Sequence, residues 1–250
     1  MSTIGELKTA VKRHLTSNMD LADLFQGEAD AGDVTTQLDG AILTAANNAR
    51  VWAERRHDFS ANWLTAKASL TPGSFVSLDT SFVDNADGVT SVKMRTLENV
   101  FITADNGSNN PLHVTTRKDM AWAKMKQRDK GVWDRYPGDE GDYLTSRATA
   151  VVAGRKLWIE PEMSDTETVY VEGYKWMDAY TDNADTDFLL VEGFDFMMWA
   201  AVVEVNHMIL KFVPRQEGTL AAPVRLRDEA WDGLILNDSH SVEGNIYHDY

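Results

Sequence analysis

Phe196-Met-Met-Trp-Ala-Ala-Val-Val203 is the stretch that decides the fold of this 250-residue chain. It holds two turns of helix without one polar side chain, and a helix that is apolar all round must be buried. Extended outward, the pattern predicts a helix from about Asp187 to Val213, capped by Asp185 or Thr186 and stopped by Pro214. At 1.5 Å per residue it spans roughly 39 Å. Glu192, Asp195, Glu204, His207 and Lys211 interrupt it, so it falls short of the run of about 20 apolar residues that a membrane span needs.

A central helix needs neighbours, and both ends of the chain supply them. Thr3 with Glu6 forms a capping-box pattern, followed by Ile4, Leu7, Val11 and Leu15 at helical spacing. Leu38, Ile42, Ala45, Ala49, Trp52 and Ala53 give one apolar stripe to a second helix over about Thr35 to Arg56. Its alanines allow another helix to approach closely. A further helix is expected from Pro223, a favoured first-turn position, to about Leu236. Beyond Asn237 the residues turn polar and read as a tail.

Between these helices the period changes to that of strands. Phe75-Val-Ser-Leu78 follows the Pro72-Gly73 turn, and Val92, Met94, Thr96 and Val100-Phe-Ile102 have strand composition. Three clearer strands come later: Ala148 to Val152, Lys156 to Glu160 and Thr168 to Tyr174. Gly154-Arg155 predicts a tight hairpin between the first two. One helix is expected to interrupt the region at about Lys118–Lys130. The fold class is therefore α+β. Residues 1–59 with 185–236 make a helical bundle, residues 60–184 an inserted β-rich module, and residues 237–250 a C-terminal tail.

Composition narrows the function. There are 39 Asp plus Glu against 24 Lys plus Arg, a net charge of −15, which disfavours nucleic-acid binding along a broad basic face. The absence of cysteine excludes disulfides, thiolate metal sites and cysteine nucleophiles. The opening Met-Ser-Thr-Ile-Gly-Glu-Leu has no basic segment followed by an apolar one, so no secretory signal is expected. There is no Gly-x-Ser-x-Gly, P-loop, Gly-x-Gly-x-x-Gly or His-Glu-x-x-His pattern. The histidines at 14, 57, 113, 207, 240 and 248 are scattered. His207 reads as a hydrogen-bonded core or interface histidine, and His57-Asp58 as a helix-end dipole interaction. Glu160 and Glu162 lack a sequence feature that would set them across a cleft as glycosidase carboxylates. Asp182, Asp185 and Asp187 lack the calcium-loop pattern and read as turn and capping acids. The expectation is a non-enzyme with no cofactor and no metal.

Charge is distributed unevenly. Between Met177 and Val205 there are seven acids (178, 182, 185, 187, 192, 195, 204) and no Lys or Arg. Between Arg117 and Arg135, seven bases face three acids, with Trp122, Trp133 and Tyr136 interleaved. Basic residues alternating with aromatics suit single-stranded nucleic acid. On an anionic chain the stretch reads better as a solvated face or a contact to a subunit or tail component, centred on Lys124, Lys126, Arg128 and Lys130. Opposite charges on one chain suit head-to-tail assembly. Eight tryptophans also favour an assembly part, since tryptophan is enriched at interface hot spots.

Three stretches carry a family resemblance. Leu38 to Phe59 contains Ala45-Ala-Asn-Asn-Ala-Arg50 and Arg55-Arg-His-Asp-Phe59. A late hairpin reads Gly154-Arg-Lys-Leu-Trp-Ile-Glu-Pro161 and Glu167-Thr-Val-Tyr-Val-Glu-Gly-Tyr174. An acidic loop then leads through Phe188-Leu-Leu into an Ala-rich helix ending at Lys211. In this order they resemble the head-to-tail adaptor proteins of tailed bacteriophages, which include the tail tubular ring proteins. The resemblance implies a structural virion protein at the neck, made in the host cytoplasm. It would form a homo-oligomeric ring, commonly a dodecamer, between the portal protein and downstream tail or nozzle proteins, with no membrane partner. Its bundle would meet the portal, and its β-rich part the tail. The portal grip would fall on Leu236, Ile246, Tyr247 and Tyr250. Double-stranded DNA would pass through the ring transiently, and an anionic inner wall would limit its adhesion.

Two other readings compete. A carbohydrate-binding or carbohydrate-cleaving tail component would use Trp122, Trp133 or Trp158 as stacking platforms. A tail-tube or tail-terminator protein would be mostly β and would lack the buried helix at Phe188–Val213.

Overall fold

The computed structural model describes residues 2–18, 31–71, 73–103, 109–116, 149–160, 166–210 and 220–246. The fold is α+β, with helices preceding and following an internal β-rich module. The chain divides into a helical unit, Met1–Ala61 with Met177–Tyr250, and a β unit, Asn62–Trp176.

The helical unit contains α1 (Ile4–Asn18), α2 (Ala31–Glu54), α3 (Phe188–Val191), α4 (Phe194–Leu210) and α5 (Ala221–Ile246). The capping box at α1 forms as its spacing requires. Thr3 N–H donates to Glu6 Oε2 at 3.2 Å, and Glu6 N–H donates to Thr3 Oγ1 at 3.3 Å. Ile4, Leu7, Val11 and Leu15 are buried against Leu38, Ile42, Ala45 and Ala46 of α2 and Met197, Ala201 and Val205 of α4. On α4, Phe196, Met197, Ala200, Ala201, Val202 and Val203 are buried, and Met198 and Trp199 are partly buried.

Three expectations are corrected here. The single helix from Asp187 is broken: α3 ends at Val191 and α4 starts at Phe194. The break falls at Gly193, where a Cβ would lie 2.9 Å from Leu189 O and 3.0 Å from Leu234 Cδ2 of α5. The cap is Asp187, whose Oδ1 accepts from Leu190 N–H at 2.9 Å, and not Asp185 or Thr186. Asp185 instead accepts from the Thr181 and Asp182 amides, and the Thr186 hydroxyl donates to Ser2 O.

The second correction concerns the end of the chain. No tail begins at Asn237, because α5 continues to Ile246. A buried carboxylate within it, Asp238, makes tertiary bonds that outweigh the weak helix propensity of its neighbours. The third correction is the boundary of the bundle on its C-terminal side. Met177 and Tyr180 are buried in the helical core, so the unit begins again at 177 and not at 185.

The described strands of the β unit are β1 (Trp63–Leu70), β2 (Val76–Ser77), β3 (Phe82–Asp84), β4 (Ser91–Val92), β5 (Met94–Thr103), β6 (Asn109–Thr116), β7 (Thr149–Ala153), β8 (Lys156–Glu160) and β9 (Glu167–Lys175). They form one sheet in the order β2-β8-β7-β6-β5-β9-β1-β3-β4. β6 and β7 are parallel, and the other pairs are antiparallel. Alternation fixes the buried face: Ala66, Ala68 and Leu70 on β1, and Val169 and Val171 on β9. Leu78, just after β2, links the β7–β8 turn to the start of β5. Its N–H donates to Arg155 O at 3.0 Å, and its carbonyl accepts from Met94 N–H at 2.8 Å.

Gly154-Arg155 forms the predicted tight hairpin between β7 and β8, with φ of 57° and 62°. Left-handed dihedrals at both turn residues match the twist of the strands. Arginine in that region is strained by about 1 kcal/mol, and its side chain makes compensating bonds. Its guanidinium reaches Asp79 Oδ1 at 2.7 and 3.2 Å and the carbonyls of Met94 and Arg95. The Arg155 hydrogen bond is also the main cause that holds Asp79 below its usual carboxylate pKa.

The turn joining β3 to β4 gives a pH prediction. Asp87 Oδ1 accepts from the amides of Val89 at 2.8 Å and Thr90 at 2.9 Å, and its Oδ2 accepts from the Thr90 hydroxyl. These bonds, the hydroxyl first, lower its pKa from 3.8 to about 2. A depressed folded-state value stabilises the turn above 3.8, and this contribution fades as pH falls through about 2. The amide chemical shifts of Val89 and Thr90 are expected to titrate with a midpoint near 2, and Asp87→Asn removes the transition. A midpoint at the ordinary value contradicts the assignment.

The expected helix at Lys118–Lys130 lies outside the described residues.

Candidate functional site: a cationic groove on the helical unit

Among the described residues of the helical unit, three clusters of buried or half-buried polar side chains each have a structural use. Arg50 Nη1 donates to Glu54 Oε2 at 2.7 Å and to Met177 O, while Glu54 Oε1 accepts from Met177 N–H. The pair thereby satisfies both backbone groups of the residue where the chain rejoins the unit. Tyr180 OH donates to Asp187 Oδ2 at 2.7 Å. Burial, then the Asp187 charge, raises the Tyr180 pKa, and burial also raises that of Asp187. The Tyr180 hydroxyl therefore stays protonated and is the donor of the pair.

The third cluster contains His, Ser and Asp but is not a catalytic triad. His57 Nε2 lies 2.8 Å from Asp238 Oδ2, and the Ser60 hydroxyl donates to Asp238 Oδ1 at 2.6 Å. The carboxylate stands between the other two, so His57 is not bonded to Ser60 as a general base must be. Ser60 N–H also donates to Asp238 at 3.1 Å. This is a clip from the segment after α2 to α5, and it replaces the helix-dipole reading of His57. His207 is exposed on α4, so of its two readings, core or interface, it is not a core histidine. His14 is the histidine packed on α4, edge-on to Trp199 at 4.8 Å, where burial lowers its pKa. Among the described residues no group of three His, Cys, Asp or Glu converges on a metal position. No helix among them is long and apolar enough to cross a membrane.

Among the described residues of this unit, a groove of about 540 Å³ opens between α2, α4 and α5. Ala45, Ala49, Phe196 and Ala200 line its apolar part. Small side chains on two facing helices leave the space unfilled. Arg55, Arg56 and Arg227 supply cations around Trp52. The Arg56 guanidinium lies 4.1 Å from the centre of the Trp52 ring, and that of Arg227 lies 5.6 Å away. Trp52 itself stacks on Phe196 at 5.7 Å and meets Trp231 edge-on at 4.9 Å. Glu204 also lines the groove and accepts from Asn48 Nδ2 at 3.2 Å.

The chain matches no protein-family model and no curated protein. Position and exposure must therefore serve to place the residues anticipated from sequence. Leu236 sits on α5 with 59 % of its surface exposed. Ile246 is the last residue of α5. Tyr247, Tyr250 and the four bases Lys124, Lys126, Arg128 and Lys130 lie outside the described residues, as do Trp122 and Trp133. Trp158 lies on β8, 6.0 Å from Phe75, whose ring carries the Lys156 ammonium 3.8 Å above it. A second aromatic group of the β unit joins Trp63 to Tyr174 at 5.1 Å, with the Arg95 guanidinium 5.8 Å from Tyr174 and 5.7 Å from Trp176.

Sequence reading missed the groove. Arg55-Arg56 and Trp52 stood in plain view, but Arg227 is remote in sequence and only folding brings it to them.

Proposed function

We propose that the protein is a non-catalytic adaptor at the neck of a tailed bacteriophage. It forms a ring, as a dodecamer, that joins the portal protein to downstream tail or nozzle proteins, and DNA passes through it. The observation that carries this reading is the architecture around α4. A helix with a largely buried apolar run, Phe196 to Val203, packs with helices from both ends of the sequence, and a β-rich unit is inserted between them in the chain. That arrangement accords with the adaptor resemblance. It also favours the adaptor over a tail-tube or tail-terminator protein, which would lack such a helix. The exposed Leu236 on α5 is an apolar anchor available to a portal. A net charge of −15 suits a passage that DNA must traverse without adhering.

The test is direct. The purified chain is mixed with portal rings and the product imaged. A ring of this protein seated on the portal is expected, and truncation before Leu236 is expected to weaken docking. A chain that never docks, with or without residues 237–250, overturns the proposal.

A further inference from the structure

We infer that the groove on the helical unit receives the acidic loop Asp178–Asp187 of a second copy of this chain. The inference deepens the ring reading, on which it rests for the repetition of the contact.

Helix geometry makes the argument. At about 100° per residue, Asn47, Arg50 and Glu54 share one side of α2. These residues hold the loop: Asn47 Nδ2 donates to Tyr180 O at 3.0 Å, and Tyr180 N–H donates to Asn47 Oδ1 at 2.9 Å. Arg50 and Glu54 bind the backbone of Met177 just before it. Ala45, Asn48, Ala49, Val51 and Trp52 lie on the groove side of α2, and Arg55 and Arg56 follow its end. The centres of the two sides of α2 differ by roughly 155° about the helix axis. A loop fixed to one side of α2 cannot reach the other side of the same helix. The groove of each copy is therefore open to the loop of another, and each bound pair still offers one groove and one loop. Such a contact is heterologous, and it repeats until it closes into a ring or extends as a filament.

Charge selects the occupant. Asp178 and Asp182 of the loop are exposed, and Asp185 is partly so. Lys8, bonded to Asn183 at 2.7 Å, is a cation at the loop's margin. Arg55 and Arg56 are exposed in the groove, whereas Arg227 is half-buried and bonded to Asp228 at 2.6 Å. Glu204 on α4 disfavours an incoming carboxylate beside it, which directs acids toward the arginines. On a chain with 39 acids and 24 bases, an acidic segment of a second copy matches a groove with three arginines.

Because the chain has no cysteine, single introduced thiols report the contact cleanly. Val51→Cys in the groove and Ala184→Cys in the loop leave every charge in place. The two variants are mixed and treated with a short bismaleimide. Their heterodimer is expected at about ten-fold the yield given by Ala184→Cys with Val89→Cys, an exposed control on the β unit. Adding Arg55→Glu and Arg56→Glu to the groove copy is expected to return the yield to the control level. Asp178→Lys with Asp182→Lys in the loop copy then restores it. A Val51–Ala184 yield no higher than the control, or a charge swap that restores nothing, overturns the inference. Rings that seat on the portal without this product remove the contact and leave the adaptor reading intact. The product formed by a chain that never docks does the reverse.

Discussion

Replacing Glu54 with alanine is expected to destabilise the helical unit by about 3–5 kcal/mol, the cost of leaving a buried charge without its partner. Glu54 is 0 % exposed and Arg50 is 7 % exposed, so water cannot take over the guanidinium. An isolated buried ion pair can often be exchanged for apolar side chains with little loss. Here that exchange should fail. Met177 N–H donates to Glu54 and Met177 O accepts from Arg50, so Arg50→Met with Glu54→Leu strands two buried backbone groups. Each such group costs about 1–3 kcal/mol. Urea unfolding followed by the fluorescence of Trp52, Trp199 and Trp231 measures both variants. A double variant as stable as the wild type would show that the pair does not hold the backbone at Met177.

Gly173→Ala is the second large effect. A Cβ at Gly173 would lie 2.2 Å from Thr96 O and 3.1 Å from Leu97 Cα. Both are backbone atoms of β5, beside the register shifts between Met94 and Thr96 and between Leu97 and Asn99. The neighbouring strand cannot yield as a flexible side chain would, and β9 lies between β5 and β1 in the sheet. A loss of about 3 kcal/mol or more is expected in the β unit. Circular dichroism melting and urea titration of the variant give the value. A loss below about 1 kcal/mol contradicts the packing described.

Local signals in the sequence carried well into the structure where they needed no distant partner. The capping box at Thr3 and Glu6 is closed by residues three apart. Gly154-Arg155 determines its own hairpin, and the all-apolar run from Phe196 is largely buried. The misreadings share a different cause. The break at Gly193 depends on Leu234, and the continuation of α5 past Asn237 depends on Asp238 binding Ser60 and His57. Neither partner is visible in a local window. The candidate groove follows the same pattern: Trp52 and Arg56 lie on one helix, whereas Phe196 and Arg227 come from two others.

The insertion of the β unit between α2 and α3 also sets a timetable. As the chain leaves the ribosome, the apolar faces of α1 and α2 emerge first, yet their partner α4 follows only after residues 62–176. At typical synthesis rates of about 5–20 residues per second, that interval is on the order of ten seconds. The β unit has all its described strands available within that interval. The first two helices instead wait as half of an unfinished core, and it is they that need shelter during synthesis.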